Sequence, residues 1–439
     1  FSTISGDQGL NKGQDVGARA FIGFGNDHSE QEVDFGRYVA GIKGDLFLPE
    51  WRYDAYVSYS RSKSTYTSEQ FLTDRMIESL DVVETAPGQF QCAELASNPG
   101  CVAAPALNAQ TIRGALPQDW VDYVFRPVTG TTEFTEKVVS IGIDGPLFSL
   151  PAGRVMGFFG AEWRESEIDD TPGLDSQLGN TYNFSTSAIT RGSDSVKEVF
   201  GEIEAPILVD LPGVRELTLN GSFRYTDYDS YGDDTTYKVG LVYRPIDWVT
   251  VRGTYGTSYR APALFEQFVG ATTGFLSNTN GAPGVNPNRV ANCTAEGLAG
   301  DFQSTNSVTV ITAGGADAGL AAETSTNMTV GLVVQPPLPS GWGDLAFAVD
   351  YYEIEVENGV SRTGAAQILT RCYDSNPADF AADAGFCRLV TRDAVDNSLT
   401  VRDSYVNLAT DNVKGLDYTV RYRKDVGPGT ALFNLAITQ

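Results

Sequence analysis

The sequence predicts an all-β protein: a transmembrane antiparallel up-and-down β-barrel with long extracellular loops and short periplasmic turns. Three observations carry that prediction. Segments of about ten residues alternate apolar and polar side chains, the connections between them are short and long by turns, and aromatic residues gather at segment ends. A soluble sandwich also alternates, but its two ends meet the same solvent, so it has no reason to sort its loops by length.

The short connections are legible by composition. Leu48-Pro49-Glu50-Trp51, Leu150-Pro151-Ala152-Gly153, Leu211-Pro212-Gly213, Arg244-Pro245-Ile246-Asp247-Trp248, Pro337-Leu338-Pro339-Ser340-Gly341 and Val426-Gly427-Pro428-Gly429 all carry proline. Proline cannot donate to a ladder and glycine supplies turn dihedrals, so these are strand breaks. Between them lie the long connections, 67–132, 169–193, 261–322 and 358–412, with shorter members near 26–32 and 228–234. Long loops thus occupy every second connection, which places them at one end.

About 13 strands follow in order: near 16–25, 33–44, 51–66, 133–145, 152–167, 194–207, 214–228, 235–244, 248–259, 324–335, 343–357, 413–424 and 430–439. Leu217, Leu219, Gly221, Phe223 and Tyr225 alternate with Thr218, Asn220, Ser222, Arg224 and Thr226, giving one apolar and one polar face. The same alternation sets Tyr237, Val239, Leu241 and Tyr243 against Lys238, Gly240, Val242 and Arg244. It recurs in Val249 to Gly256 and in Leu416 to Arg423. Period two alone does not say which face is wet. Trp51, Tyr53, Tyr59, Tyr225, Tyr243, Trp248 and Tyr351 tilt the choice, because rings with one wet edge suit the headgroup level of a membrane. The polar face, with Arg224, Arg244, Arg252 and Arg421, then faces a lumen, where pairing with acidic neighbours is the expected role of the arginines.

No run reaches the roughly 18 to 20 apolar residues of a transmembrane helix. The pattern runs from Val16 to Gln439 without a linker, which reads as one domain. A net charge of −25 at pH 7 excludes nucleic acid as a partner, since phosphates would be repelled. Between 67 and 132, eight Asp or Glu stand against three Arg. Solvated, charge-bearing loops explain this best; divalent ions bridging the loops to lipopolysaccharide are the second reading.

The five cysteines all sit in long loops. Their clustering suggests two local disulfides, Cys92 to Cys101 and Cys372 to Cys387, formed in an oxidising periplasm. Each would stabilise its loop by about 2 to 3 kcal/mol in the chain-entropy model. Cys293 is left over, for a thiol outside this chain. Zinc is the competing use of cysteine, but there is no CxxC pair, and His28 is the one histidine, so no metal site and no cofactor are expected.

Two stretches resemble a known family. Thr250 to Phe268, with Ser258-Tyr259-Arg260-Ala261-Pro262 at its centre, is similar to the strand and loop start of TonB-dependent outer-membrane receptors. Asn407 to Tyr418, with Lys414-Gly415-Leu416-Asp417, resembles the family's return into a barrel strand, with Asp417 where Glu is more usual. Tyr38 to Ala55 and Pro151 to Arg164 look like mid-barrel hairpins of the proteobacterial subgroup, so the resemblance covers nearly the whole chain.

Such receptors are barrels of about 22 strands with a plugged lumen. About 13 strands is therefore a partial count, and an odd number does not close a single-chain bacterial barrel. Residues 1–439 are expected to form the central part of the barrel, with the plug, the TonB-contacting segment and the C-terminal strands outside them. The resemblance implies active import of a scarce small-molecule ligand, of siderophore, cobalamin or oligosaccharide class, across the bacterial outer membrane. Its implied partners are outer-membrane lipid and lipopolysaccharide, and TonB with its inner-membrane energising complex. Trp120, Tyr123, Phe265 and Phe268 on the long loops are the ligand-binding candidates; pinning the loops together is their other reading. A hydrolase is not expected, because no GxSxG motif is present. A passive porin or a secreted adhesive β protein would share the strand rhythm but not the Arg260-Ala261-Pro262 signature.

Overall fold

The computed structural model describes residues 28–106, 108–111, 113–181, 186–276, 286–298, 308–316, 319–395 and 397–439. The expected strand at 16–25 lies outside them. Walking the chain, β1 (Ser29–Asp45) and β2 (Arg52–Phe71) are followed by a loop carrying α1 (Thr73–Leu80), β3 (Val82–Ala86), β4 (Gln89–Cys92) and α2 (Gln118–Val124). Then come β5 (Phe125–Leu150), β6 (Gly153–Thr171), the single turn α3 (Leu174–Gln177), β7 (Thr190–Leu211), β8 (Val214–Tyr228), β9 (Gly232–Ile246) and β10 (Val249–Arg260). The next loop holds α4 (Leu264–Phe268), β11 (Thr272–Leu276), α5 (Pro287–Ala295) and β12 (Val308–Thr312), before β13 (Glu323–Val334) and β14 (Asp344–Ser361). The last loop holds α6 (Ala365–Tyr373), α7 (Pro377–Ala381), β15 (Val390–Arg392) and β16 (Leu399–Arg402), and β17 (Val406–Val426) and β18 (Gly429–Thr438) end the chain.

Twelve strands pair in chain order, β1-β2-β5-β6-β7-β8-β9-β10-β13-β14-β17-β18. Each follows its neighbour through a short turn or a long loop; the connection expected near 228–234 is a turn of three residues, Asp229, Ser230 and Tyr231, without proline. Gly213 (φ 76°) and Gly427 (φ 57°) supply left-handed backbone at two of the turns. The strands run past the ten-residue periodic segments toward the long loops: β5 has 26 residues, β7 has 22 and β17 has 21. Alternation ends where the lining turns polar, but the hydrogen-bond ladder does not need apolar side chains to continue.

Register fixes the two faces. Leu219, Leu241, Gly253, Val330, Tyr351 and Leu416 form one row across six strands. The adjacent row, Thr218, Val242, Arg252, Gly331, Asp350, Asp417 and Thr438, points to the other face. Among the described residues no protein layer covers the apolar rows: Val239 is 55% exposed and Val330 49%. Phe223, Tyr225, Tyr237 and Tyr255 stand exposed toward the long loops, and Trp248, Phe347 and Phe433 toward the turns. The sheet is inside-out relative to a soluble protein, and its compact apolar cores lie in the loops.

Two compact units are distinguished. One contains residues 28–33, 64–131 and 171–188 of those described, and the other residues 34–63, 132–170 and 189–439.

Candidate ligand-facing loops

The polar face of the sheet is built from ion pairs. Arg224 Nη1 donates to Glu198 Oε2 at 2.7 Å, and Thr226 Oγ1 donates to Oε1 of the same carboxylate at 3.0 Å. Arg244 pairs with Glu216 at 3.2 Å. Arg252 reaches Asp350 with two bonds, of 2.9 and 2.8 Å, across the intervening strand β13. That bridge exists because residue 331 is glycine: a Cβ there would collide with Asp350 Oδ1 and crowd Arg252 Nε. Three of the four arginines expected on this face thus pair with carboxylates of the sheet itself.

The smaller unit is a loop with its own core. Trp120, Tyr123 and Val124 of α2 are buried against Phe71, Met76, Val102, Leu116 and Phe125. Trp120 Nε1 donates to Ser79 Oγ, and Tyr123 donates to Glu78 Oε2 at 2.6 Å beneath the Arg75 guanidinium. Burial, then the Glu78 carboxylate, push the Tyr123 phenol above its ordinary value. The segment after β6 is tied in by Asn180, whose carbonyl accepts from Thr73 N at 2.7 Å and whose Oδ1 accepts from Asp74 N at 3.0 Å. The Cys92–Cys101 disulfide, with Cα atoms 6.2 Å apart, closes the loop tip. Trp120 is 4% exposed and Tyr123 8%. Both rings are part of the loop's core.

The last two large loops fold as one module. β12 of the first pairs in parallel with β16 of the second, in the sheet order β11-β12-β16-β15. Ile368, Leu369, Cys372, Tyr373, Leu399 and Val401 of one loop share a buried core with Cys293 and Val308 of the other. Arg289 forks onto Asp374 at 2.7 and 2.8 Å, and Asn292 Nδ2 donates to the carbonyls of Tyr373 and Ser375 at 3.0 Å. Tyr373 donates to Glu296 at 2.9 Å and accepts from Arg392 at 2.8 Å. Burial and then Glu296 hold its phenol far above the ordinary 10.0. The Cys372–Cys387 disulfide forms within this core. Cys293 is a buried free thiol in the same core, not a surface group awaiting an outside thiol; burial raises its pKa and so suppresses the reactive thiolate.

The family-like residues are the module's hinges to the sheet. Arg260 binds Glu323 through Nε and Nη2, at 2.6 and 2.5 Å, and Glu266 through Nη1 at 3.0 Å. Glu266 also accepts from Ala263 N at 2.7 Å, fixing the start of α4, and Glu323 accepts from Val360 N at 2.7 Å, fixing the exit of β14. Pro262 is covered, and its carbonyl accepts from the buried Gln267 amide at 3.0 Å. Asn407 holds three segments: Oδ1 accepts from Ala321 N at 2.7 Å, and Nδ2 donates to the carbonyls of Ala321 and Asn358 at 2.8 and 2.6 Å. Gly415 sits under the Tyr352 ring, where a Cβ would clash. Leu416 lies on the apolar face, and Asp417 accepts from Thr438 at 2.6 Å. Ser258 and Tyr259 lie in β10, opposite Ser325 and Thr324 of β13. Of the ring candidates, Phe268 packs over Gly192 and Phe265 is half exposed on α4. Glu266, Glu323 and Asn407 carry more of this geometry than the aromatics; an acid three residues after the first residue of Ala263-Leu264-Phe265-Glu266 is the helix-start signal that points to Glu266.

The profile of the family described as TonB dependent receptor-like, beta-barrel, matches residues 2–438. The chain belongs to the TonB-dependent receptor β-barrel family. Members of this family are outer-membrane proteins, transporters and not enzymes. Among curated proteins the receptor chain is similar to the vitamin B12 transporter BtuB of Vibrio cholerae serotype O1, 27% identical over 110 residues, which are 25% of this chain and 14% of that protein. Among solved structures it is similar to the siderophore receptor PirA from Pseudomonas aeruginosa, with TM-score 0.42, 12% identity, and 92% of this chain covering 57% of that one. It is likewise similar to a double mutant of the Serratia marcescens hemophore receptor HasR in complex with HasA and heme, with TM-score 0.44, 14% identity, and 92% covering 54%. The receptor chain therefore spans less than two thirds of the length of these relatives.

Proposed function

We propose that this chain is part of the barrel of an active outer-membrane importer for a scarce ligand of siderophore, cobalamin or oligosaccharide class, driven through TonB. The observation that carries the reading is the inside-out sheet with long loops after β2, β6, β10 and β14, all on one end of the strands. Exposed apolar rows suit hydrocarbon, and a polar face closed by Arg–carboxylate pairs suits a wide lumen. Loops with their own cores and disulfides suit a ligand-capturing mouth better than a porin's open vestibule. Among the described residues β1 and β18 each pair on one side only. A membrane sheet does not leave ladder groups unpaired in hydrocarbon, so further strands complete the barrel, and a plug domain fills the lumen that the ion pairs line. TonB acts through that plug.

The test is uptake by cells producing the full-length receptor, offered labelled ferric siderophores, cobalamin and oligosaccharides. Accumulation of one class that stops when the proton-motive force is collapsed supports the reading. Steady conductance of the purified receptor in a planar bilayer, with uptake indifferent to that force, would establish a passive porin instead.

A further inference from the structure

We propose that Asn358-Gly359, at the exit of β14, is a site of spontaneous covalent modification, where the asparagine amide is lost as ammonia and the chain passes to an isoaspartyl linkage. The proposal goes beyond the import reading and does not depend on it. Asn358 is exposed, and its φ of 56° is left-handed backbone that asparagine tolerates better than most side chains. It also stands outside both flanking ladders. The pairing of β14 with β13 ends at Glu357, and its register with β17 steps from Val356 to Gly359 and shifts again before Val360. This is a bulge, so the peptide between Asn358 and Gly359 is not held extended between two neighbours as strand peptides are.

The chemistry needs only water. The Gly359 nitrogen gives its proton to solvent and attacks Asn358 Cγ; the bond from Cγ to the side-chain nitrogen breaks, ammonia leaves and a five-membered imide closes. Glycine at 359 has no Cβ to hinder that approach. Water then opens the imide. Attack at Cγ leaves an ordinary aspartate, and attack at the main-chain carbonyl leaves isoaspartate, with no change of oxidation state on either route. The same dipeptide at Asn220-Gly221 is an internal contrast. Asn220 pairs with Glu204 and Gly240, and Gly221 with Ile203 and Val239, so ladders on both sides lock its backbone. A third pair, Asn280-Gly281, lies outside the described residues. The change at 358 falls on a tie between loops. The Asn358 carbonyl accepts from Asn407 Nδ2 at 2.6 Å, and the same amide group holds the Ala321 carbonyl at 2.8 Å. In the isoaspartyl form that Asn358 carbonyl becomes a free carboxylate and the main chain gains a methylene, which pulls β14 out of step with Asn407.

The test ages the full-length receptor in mild detergent at slightly alkaline pH and follows each Asn-Gly peptide by mass spectrometry, with fragmentation that separates isoaspartate from aspartate. Asn358 should convert about tenfold faster than Asn220 or more, because its backbone needs no opening of a ladder. In denaturant the two should convert alike, since the fold alone distinguishes them. Hydrogen exchange at Ala321 N, which donates to Asn407 Oδ1, should quicken in the aged receptor. Asn358→Gly keeps the left-handed backbone and removes the amide, so ageing should leave its Ala321 exchange unchanged. Conversion at 358 no faster than at 220 in the native receptor, or a difference that persists in denaturant, overturns the site. Conversion without quicker exchange at Ala321 upholds the site and overturns its effect on the tie.

Discussion

At the scale of single residues, Arg260 shows why a short motif carries so much structure. Its planar fork meets two carboxylates that each hold a backbone amide, Ala263 N and Val360 N. Lysine has the charge without the fork, so Arg260→Lys should deprotect those two amides in hydrogen exchange while the sheet stays intact. The side chain is nearly half exposed, so the pair itself contributes about 1 kcal/mol or less, and the effect is local loosening, not unfolding. The aromatic candidates divide in the same way. Trp120→Ala should destabilise its loop by about 3 to 5 kcal/mol, read as early proteolysis between Cys92 and Val124, because it empties a packed core. Phe265→Ala removes a half-exposed ring and should leave stability within about 0.5 kcal/mol. If Phe265 touches ligand, affinity falls with no change in proteolysis; unchanged affinity removes it from the binding site.

At the scale of elements, the two-loop module carries its own pH limit. The Tyr373 phenol is held above its ordinary 10.0 by burial and by Glu296, so the folded module binds that proton more tightly than the unfolded chain does. Its contribution is complete below pH 10.0 and is lost as pH rises beyond it. Near-ultraviolet circular dichroism should report loosening on the alkaline side, and Tyr373→Phe should remove that part of the transition. The reason this module escaped sequence reading is physical. A membrane strand announces itself in ten residues, because one face must be apolar, and twelve of the expected strands stand where alternation and proline placed them. The module's core is instead assembled from residues some 70 to 110 positions apart, such as Cys293 with Ile368 and Val308 with Val401, joined by a parallel pairing that leaves no local periodicity. The two disulfides were legible because each closes a short separation, 9 and 15 residues. The place of Cys293 was not, since its neighbours come from another loop. Arg260 and Asn407 were visible as motif members, but their acidic and backbone partners are known only from the fold.

At the scale of the whole molecule, the two faces of one strand make opposite demands on the same substitution. Leu241 lies in the central apolar row between Leu219 and Gly253, whereas Ser222 lies on the polar face between Glu202 and Lys238. A guanidinium at Leu241 must sit in hydrocarbon near mid-height or drag water and headgroups to itself, at a cost of about 2 to 4 kcal/mol. At Ser222 it stays in an aqueous lumen with Glu202 alongside. Leu241→Arg should therefore lower the denaturant midpoint for folding into vesicles, read from the heat-dependent shift in gel mobility, while Ser222→Arg should leave it nearly unchanged. In a soluble sheet whose apolar rows met water, Leu241→Arg would be neutral or stabilising. Equal tolerance at both positions would thus count against the hydrocarbon setting of the apolar face. A penalty at Leu241 alone follows from the inside-out arrangement that register, exposure and the uncovered aromatic rows describe together.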